Sequence, residues 1–432
     1  MDRILKLAKK SVDEAEVYYL RSKSIPIEFR DEKIEEIKIH EYTEVALRVI
    51  KDGKLGMSFG SPDEPDILVK SAVKSAETGS KVKFSFPEKS QIIDFENYDK
   101  EMETPPIEDI VRKILAKIKW IKKCNIKAPI MYGINIGIAD ITIANTKGLN
   151  VNYKRSAFKQ YCMIVLPQSM MGPYVVDVYY RFREIEEKEF EGLIQKFEIA
   201  KNSVTVPTKK MRVLFSPEAL WTLEWRLTEA ISGKNLIEHL SPIENKINEK
   251  IFDDKITIYD DPHARGYFWS RPFDDEGVPT RRLPIIDKGI LKNFIFDLRT
   301  ASEYGTESTG NGYKGRWSSE AISKPVSPYP CHLVWEQGSL SVKEQIKSID
   351  EGLICEDLLG AHSGNIVAGQ FSMNVGTGFY VKDGKIIGRA IDTMISGNIY
   401  DIFKNIHSIS KERNYELKPW VLFNGIQVAG KG

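Results

Sequence analysis

Five carboxylates crowd one stretch of this chain: Asp260 and Asp261, then Asp274, Asp275 and Glu276. Clustered carboxylates can hold a hard divalent cation through oxygen, or act as a general acid and base. The same residues flank Gly277 and Pro279, where Asp and Glu also serve as turn formers. Both readings stand, with the turn preferred. Asp274, Asp275 and Glu276 are the catalytic candidates for a chain that hydrolyses on its own. A second set, Asn311, His362, Asn365 and Ser372, offers amide, imidazole and hydroxyl groups to a substrate cleft. The competing account of His362 is a hydrogen-bonded structural histidine.

Metal chemistry has little to draw on. The six histidines are His40, His239, His263, His332, His362 and His407, and the closest pair, His239 and His263, is separated by 24 positions. No two can sit on neighbouring turns of one helix. Cys331-His332 with Cys355 and His362 contains the right atoms for zinc, but the spacing matches no compact finger and adjacent side chains rarely converge on one ion. No metal is assigned to this chain. The run Gly305-Thr306-Glu307-Ser308-Thr309-Gly310-Asn311-Gly312 lacks the Gly-Lys-Ser/Thr ending of a phosphate loop and reads as a glycine-rich turn. No G-x-S-x-G elbow is present for a serine nucleophile.

The 432 residues exceed one ordinary core, so two or three domains are expected. A formal net charge of +1 with mixed-sign charge throughout argues against a dedicated nucleic-acid binder. No apolar run approaches the ~20 residues that span a bilayer, and the first residues turn charged before a secretory h-region forms. Cys124, Cys162, Cys331 and Cys355 lie far apart without a C-x-x-C pair, which suits a reducing cytoplasm.

The elements that must position these groups follow from periodicity. Ile4, Leu5 and Ala8 have helical spacing, after which Ala15, Val17, Tyr19 and Ile25, Ile27, Phe29 alternate as strands do. Thr43–Ile50 is a third strand, and Asp52-Gly53 marks a hairpin because a primed turn needs positive φ. A helix carrying Ile67, Leu68, Ala72, Val73 and Ala76 closes an α+β unit over residues 1–85, and a polar, Pro-bearing stretch over 80–106 follows it. A central α+β unit over 107–205 holds a helix from Ile107 to Ile121, a meander of strands through Leu166 with a turn at Asn145-Thr146-Lys147-Gly148, and a helix over 184–202. The third unit, 210–432, is β-rich. It opens with strand Arg212–Phe215 and a helix from Pro217 to Ile231, started by Ser216 as cap and Pro217 in the first turn. Further helices are expected over 342–349 and 397–409, with a second Asp-Gly hairpin at Asp383-Gly384. The fold class is α+β: amino-terminal and central strand/helix units with a β-rich carboxy-terminal domain. A β-rich domain this large is expected to carry open sheet edges that need covering.

An ordered series of short motifs carries a family resemblance. Asp260-Asp261-Pro262 leads to Phe273-Asp274-Asp275-Glu276-Gly277-Val278-Pro279, then Ile285-Ile286-Asp287-Lys288-Gly289, Ser308-Thr309-Gly310-Asn311, Leu359-Gly360-Ala361-His362 and Gly369-Gln370-Phe371-Ser372. The series resembles the carboxy-terminal domain of the TldD/PmbA metallopeptidase family, whose traditional name is modulator of DNA gyrase. The amino-terminal strands with Gly56-Met57-Ser58-Phe59 resemble that family's first domain. The resemblance implies that an active TldD-type subunit carries H-E-x-x-x-H on the helix before the Asp-Asp segment, binding zinc through imidazoles with Glu activating the bound water. The corresponding helix here, Pro217–Ile231, holds Glu218, Glu224 and Glu229 but no histidine. That places the chain with the PmbA/TldE branch, although Gln370 stands where that branch usually has Asp. The resemblance implies a cytoplasmic subunit of a peptide-degrading complex, with zinc in a TldD-like partner and assembly as a heterodimer or homodimer. The alternatives are a stand-alone hydrolase using Asp274–Glu276 or an unrecognised metal site, and a regulatory binding protein.

Overall fold

Pairing between distant strands organises the molecule. A computed structural model describes residues 1–89, 93, 96–167, 171–315 and 321–431. The long strand Glu14–Arg30 lies at the centre of a sheet, with His40–Lys51 antiparallel on one side and Ile130–Asn145 antiparallel on the other. Alternation from Ala15 to Phe29 therefore belongs to one continuous strand and not two. Pro26 sits where its neighbour changes from His40–Lys51 to the hairpin strand Lys33–Ile37, so its missing N–H costs little pairing. Beyond Ile130–Asn145 the sheet continues through Asn150–Ile164 to Tyr174–Tyr179; at its other end stands Lys54–Gly60. Both expected turns have the chemistry that their residues allow. Asp52 and Gly53 adopt φ of 51° and 69°, and Asn145 Oδ1 accepts from the Lys147 and Leu149 amides.

Helices Ile107–Lys123 and Glu187–Ala200 cover one face of this sheet. Ile110, Ile114, Ile118 and Ile121, spaced three and four apart, bury against Ile25, Ile27, Phe29 and Tyr132. The same core takes in Leu214, Phe379, Val381 and Leu422 from the carboxy-terminal region, so packing is continuous between them. The expected 80–106 stretch is irregular up to a short 3-10 turn at Lys100–Glu103, and residues 90–92, 94 and 95 of it lie outside the described residues.

In the carboxy-terminal region, strand pairing runs full circle. Lys209–Phe215 pairs with Pro419–Ala429, which pairs with Met394–Asn398, then Gln370–Lys382, then Glu351–Leu359, and the last returns to pair parallel with Lys209–Phe215. Closure therefore covers part of the edges expected of this domain. End strands remain at Ile406–Arg413 and Ser203–Val204 of this sheet, and at Ile290–Leu291 and Leu333–Trp335 of a four-stranded sheet beside it.

Helix Pro217–Ile231 forms where expected. Ser216 Oγ accepts from the Ala219 amide at 3.1 Å, and Leu220, Leu223, Leu227 and Ile231 are fully buried beside Phe215 and Phe423. Truncating Leu227 to Ala there costs about 2–5 kcal/mol. The helix expected over 397–409 is a correction. Only Ile399–Ile402 is helical, and Ile406–Arg413 is a strand paired with Pro419–Ala429. Ile406, Ser408, Ile409 and Ser410 bury on that pairing, a tertiary gain that overrides the helical spacing.

Candidate functional site

A cleft of about 900 Å³ lies between the helix Pro217–Ile231 and the outer strands of the amino-terminal sheet. The helix gives it Glu218, Trp221, Glu224, Trp225, Thr228 and Glu229, positions three and four apart on one face. Tyr161 and Met163 come from strand Asn150–Ile164, and Tyr174 and Val176 from the end strand Tyr174–Tyr179. Tyr267, Tyr313, Tyr329 and Tyr415 complete an aromatic lining. A second hollow of about 760 Å³ follows residues Tyr174–Tyr179 onward. Among the described residues that strand pairs with Asn150–Ile164 alone, so its other edge faces outward.

Each helix carboxylate at the cleft has a partner. Glu218 accepts from Asn414 Nδ2 at 3.1 Å, and Glu229 accepts from Trp225 Nε1 at 3.2 Å and Asn235 Nδ2 at 3.0 Å. Glu224 is buried and lies 3.2 Å from the Lys418 ammonium, which also reaches Glu416 at 3.0 Å. Burial pushes the Glu224 carboxyl up, and Lys418 draws it part of the way back. Lys418, itself buried, is held above its ordinary range because the attraction of Glu224 and Glu416 outweighs desolvation. The histidine nearest this group is His332, whose ring meets the Glu416 carbonyl at 2.7 Å and stacks on Tyr267 at 3.5 Å. An ammonium thus occupies the carboxylates that a metal would need, and among the described residues no three His, Cys, Asp or Glu side chains gather in a metal-holding group. The residues present do not fit a zinc ion.

The carboxylates singled out in the sequence lie elsewhere and are saturated by donors. Asp274 accepts from the Glu276, Val278 and Gly312 amides, each at 2.9 Å. Asp275 accepts from Arg271 at 3.1 Å and the Lys314 amide at 2.9 Å. Glu276 accepts from Arg48 at 2.6 Å and the Leu298 amide at 2.7 Å, and burial, opposed by Arg48, pushes its carboxyl up to about 7. Arg48 also grips Glu16 at 2.7 Å, a buried bridge from the amino-terminal sheet to the Asp-Asp-Glu turn. Asn311 joins this buried layer by donating to Asp260 at 2.6 Å. His362, Asn365 and Ser372 are exposed on and beside the loop before strand Gln370–Lys382 and line neither hollow. Cys331 and Cys355 are buried, and neither forms a disulfide among the described residues.

Sequence reading missed three residues. Arg226, fully buried, donates to the carbonyls of Thr222, Ala361, Ser363 and Gln370 and so ties the loop at 360–370 to the helix. Lys418 and Arg155 likewise take their places through contacts far along the chain, which residue spacing does not report.

Comparison with known proteins agrees with this geometry. A family model described as the PmbA/TldA metallopeptidase C-terminal domain matches residues 208–430, and one for domain 1 matches residues 15–76. The crystal structure of TldE from Thermococcus kodakarensis is 28% identical, with a TM-score of 0.91 over 100% of both chains. A putative modulator of a DNA gyrase from Thermotoga maritima shares the fold at 24% identity, with a TM-score of 0.87 over 99% of each chain. A metalloprotease PmbA homolog of Buchnera aphidicola subsp. Acyrthosiphon pisum is 30% identical over 66% of this chain and 62% of its own length. With more than half of its length matched by the family's carboxy-terminal model and the arrangement of that fold throughout, this chain belongs to the PmbA/TldD metallopeptidase family.

Proposed function

We propose that this chain is the PmbA/TldE-like, zinc-free subunit of a peptide-degrading complex and pairs with a zinc-bearing TldD-like subunit. One observation carries the reading: the helix facing the cleft has Glu224 neutralised by Lys418 and no histidine, while the cleft around it is large and aromatic. The partner supplies hydrolysis. This chain supplies a wall that holds an extended peptide, whose backbone pairs with the outward edge of Tyr174–Tyr179 while its side chains rest on Trp221, Trp225 and Tyr161. Holding the scissile bond in place is worth several kcal/mol of barrier without any catalytic group. Four cysteines that form no disulfide among the described residues suit a cytoplasmic location.

The test is cleavage of an unstructured peptide by this chain, by a TldD-like relative and by their mixture, with and without chelator. The mixture should exceed either alone and lose activity with chelator. Glu229→Gln should leave most of the mixture's activity. Chelator-sensitive cleavage by this chain alone, or loss of the mixture's activity with Glu229→Gln while assembly stays intact, refutes the assignment.

A further inference from the structure

A smaller hollow of about 210 Å³ shares Tyr313, Lys314, Gly315 and Pro330 with the cleft. Its charged lining is Arg155, Arg271, Lys314 and Asp275, three cations against one carboxylate. Asp275 is already committed to Arg271 and to the Lys314 amide. Lys314 is buried, and its ammonium makes no ion pair among the described residues. It reaches the Lys324 carbonyl at 3.5 Å and lies 5.6 Å from the Tyr18 ring centre. The Arg155 guanidinium stacks 4.0 Å from the Trp269 ring centre, and its buried Nη1 has no hydrogen-bond partner among the described residues. Behind this wall Arg48 is taken up by Glu16 and Glu276. A buried donor left unmade and a buried cation without an anion both cost free energy. Burial accordingly holds Arg155 below its ordinary range and draws Lys314 down to about 8. A bound anion relieves both.

We propose that this hollow binds a carboxylate of the peptide lying in the cleft, paired with Arg155 and Lys314 and walled by Trp269 and Tyr313. The proposal rests on reading the cleft as a peptide site. A planar carboxylate matches the guanidinium fork. The hollow is below the about 300–1,000 Å³ of pockets that enclose whole drug-sized ligands, so it takes one small residue and not a chain passing through. The chain's C-terminal carboxylate and an acidic side chain present the same group.

The experiment titrates the full chain by calorimetry with one short unstructured peptide in three forms: free acid, C-terminal amide, and amide with a Glu at its last position. N-acetylalanine, too short to use the cleft, is a fourth probe. The free acid should bind roughly 10- to 100-fold tighter than the plain amide. Arg155→Met, which breaks no side-chain hydrogen bond among the described residues, should abolish that difference and leave the amide's affinity unchanged. Arg155→Lys should restore part of it. Tight binding of the Glu-ended amide assigns the site to side chains, and weak binding assigns it to the chain end. Equal affinity for all three forms, or a preference that survives Arg155→Met, overturns the proposal while leaving the cleft reading intact. If no peptide form binds, the cleft reading falls, and N-acetylalanine decides the hollow. Binding that Arg155→Met abolishes supports the hollow; no binding, or binding indifferent to Arg155, overturns it.

Discussion

Replacing Lys418 by Met isolates the electrostatics beneath the cleft. Lys418 and Glu224 each expose 9% of their side chains, and the ammonium lies 3.2 Å from Glu224 and 3.0 Å from Glu416. The methionine keeps the apolar stem and removes the charge, leaving Glu224 buried without a counter-ion. Breaking a buried pair in this way costs about 3–5 kcal/mol. If residues 208–430 unfold as a unit, that is a fall in Tm of about 6–20 °C. The pH dependence separates this cause from lost packing. The folded Glu224 carboxyl is already raised above its ordinary 4.5, and losing Lys418 raises it further. A carboxyl raised on folding contributes stability that is present below the unfolded value and lost as pH rises through the folded value. The deficit of Lys418→Met relative to the parent should therefore be largest at pH 7–8 and shrink toward pH 4.5. Glu224→Gln together with Lys418→Met should recover much of it. Urea unfolding of parent, single and double variants at pH 5 and 8 measures this. A deficit that is equal at both pH values, or no recovery in the double variant, refutes the account.

Other expectations follow from the same contacts. Arg226→Met strips hydrogen bonds from four carbonyls, one buried and three part-buried, so amide exchange at 360–370 should quicken and stability should fall by about 1–3 kcal/mol. Unchanged exchange in that loop counts against its anchoring role. Glu276, ordinarily near 4.5 and pushed up to about 7, binds more protons folded than unfolded between those values. Its contribution to stability declines across that window, and Glu276→Gln should flatten that part of the stability–pH curve, read by thermal unfolding. Trp221, exposed at the cleft, should contribute to peptide binding but little to stability. Trp221→Ala should weaken peptide affinity with a Tm change of only a degree or two, since surface substitutions usually fall within about 0.5 kcal/mol.

Much of this protein was legible in its residues alone because the signals are local. The cap Ser216 with Pro217, the paired Asp52-Gly53 and Asp383-Gly384 turns, and the four isoleucines from Ile110 to Ile121 encode their elements within a few positions. The missing histidines of Pro217–Ile231 are equally visible, since a zinc motif on one helix is local by nature. Tertiary structure decided what depends on groups far apart. It joined Glu14–Arg30 to Ile130–Asn145 in one sheet, closed the carboxy-terminal strands on themselves, and turned Ile406–Arg413 from an expected helix into a strand. It also set Lys418 against Glu224 and Arg48 against Glu276. A charge on a linear chain carries no mark of its partner. Which carboxylate is turn scaffold and which faces a cleft is settled only when folding removes water and makes each buried charge find its counterpart.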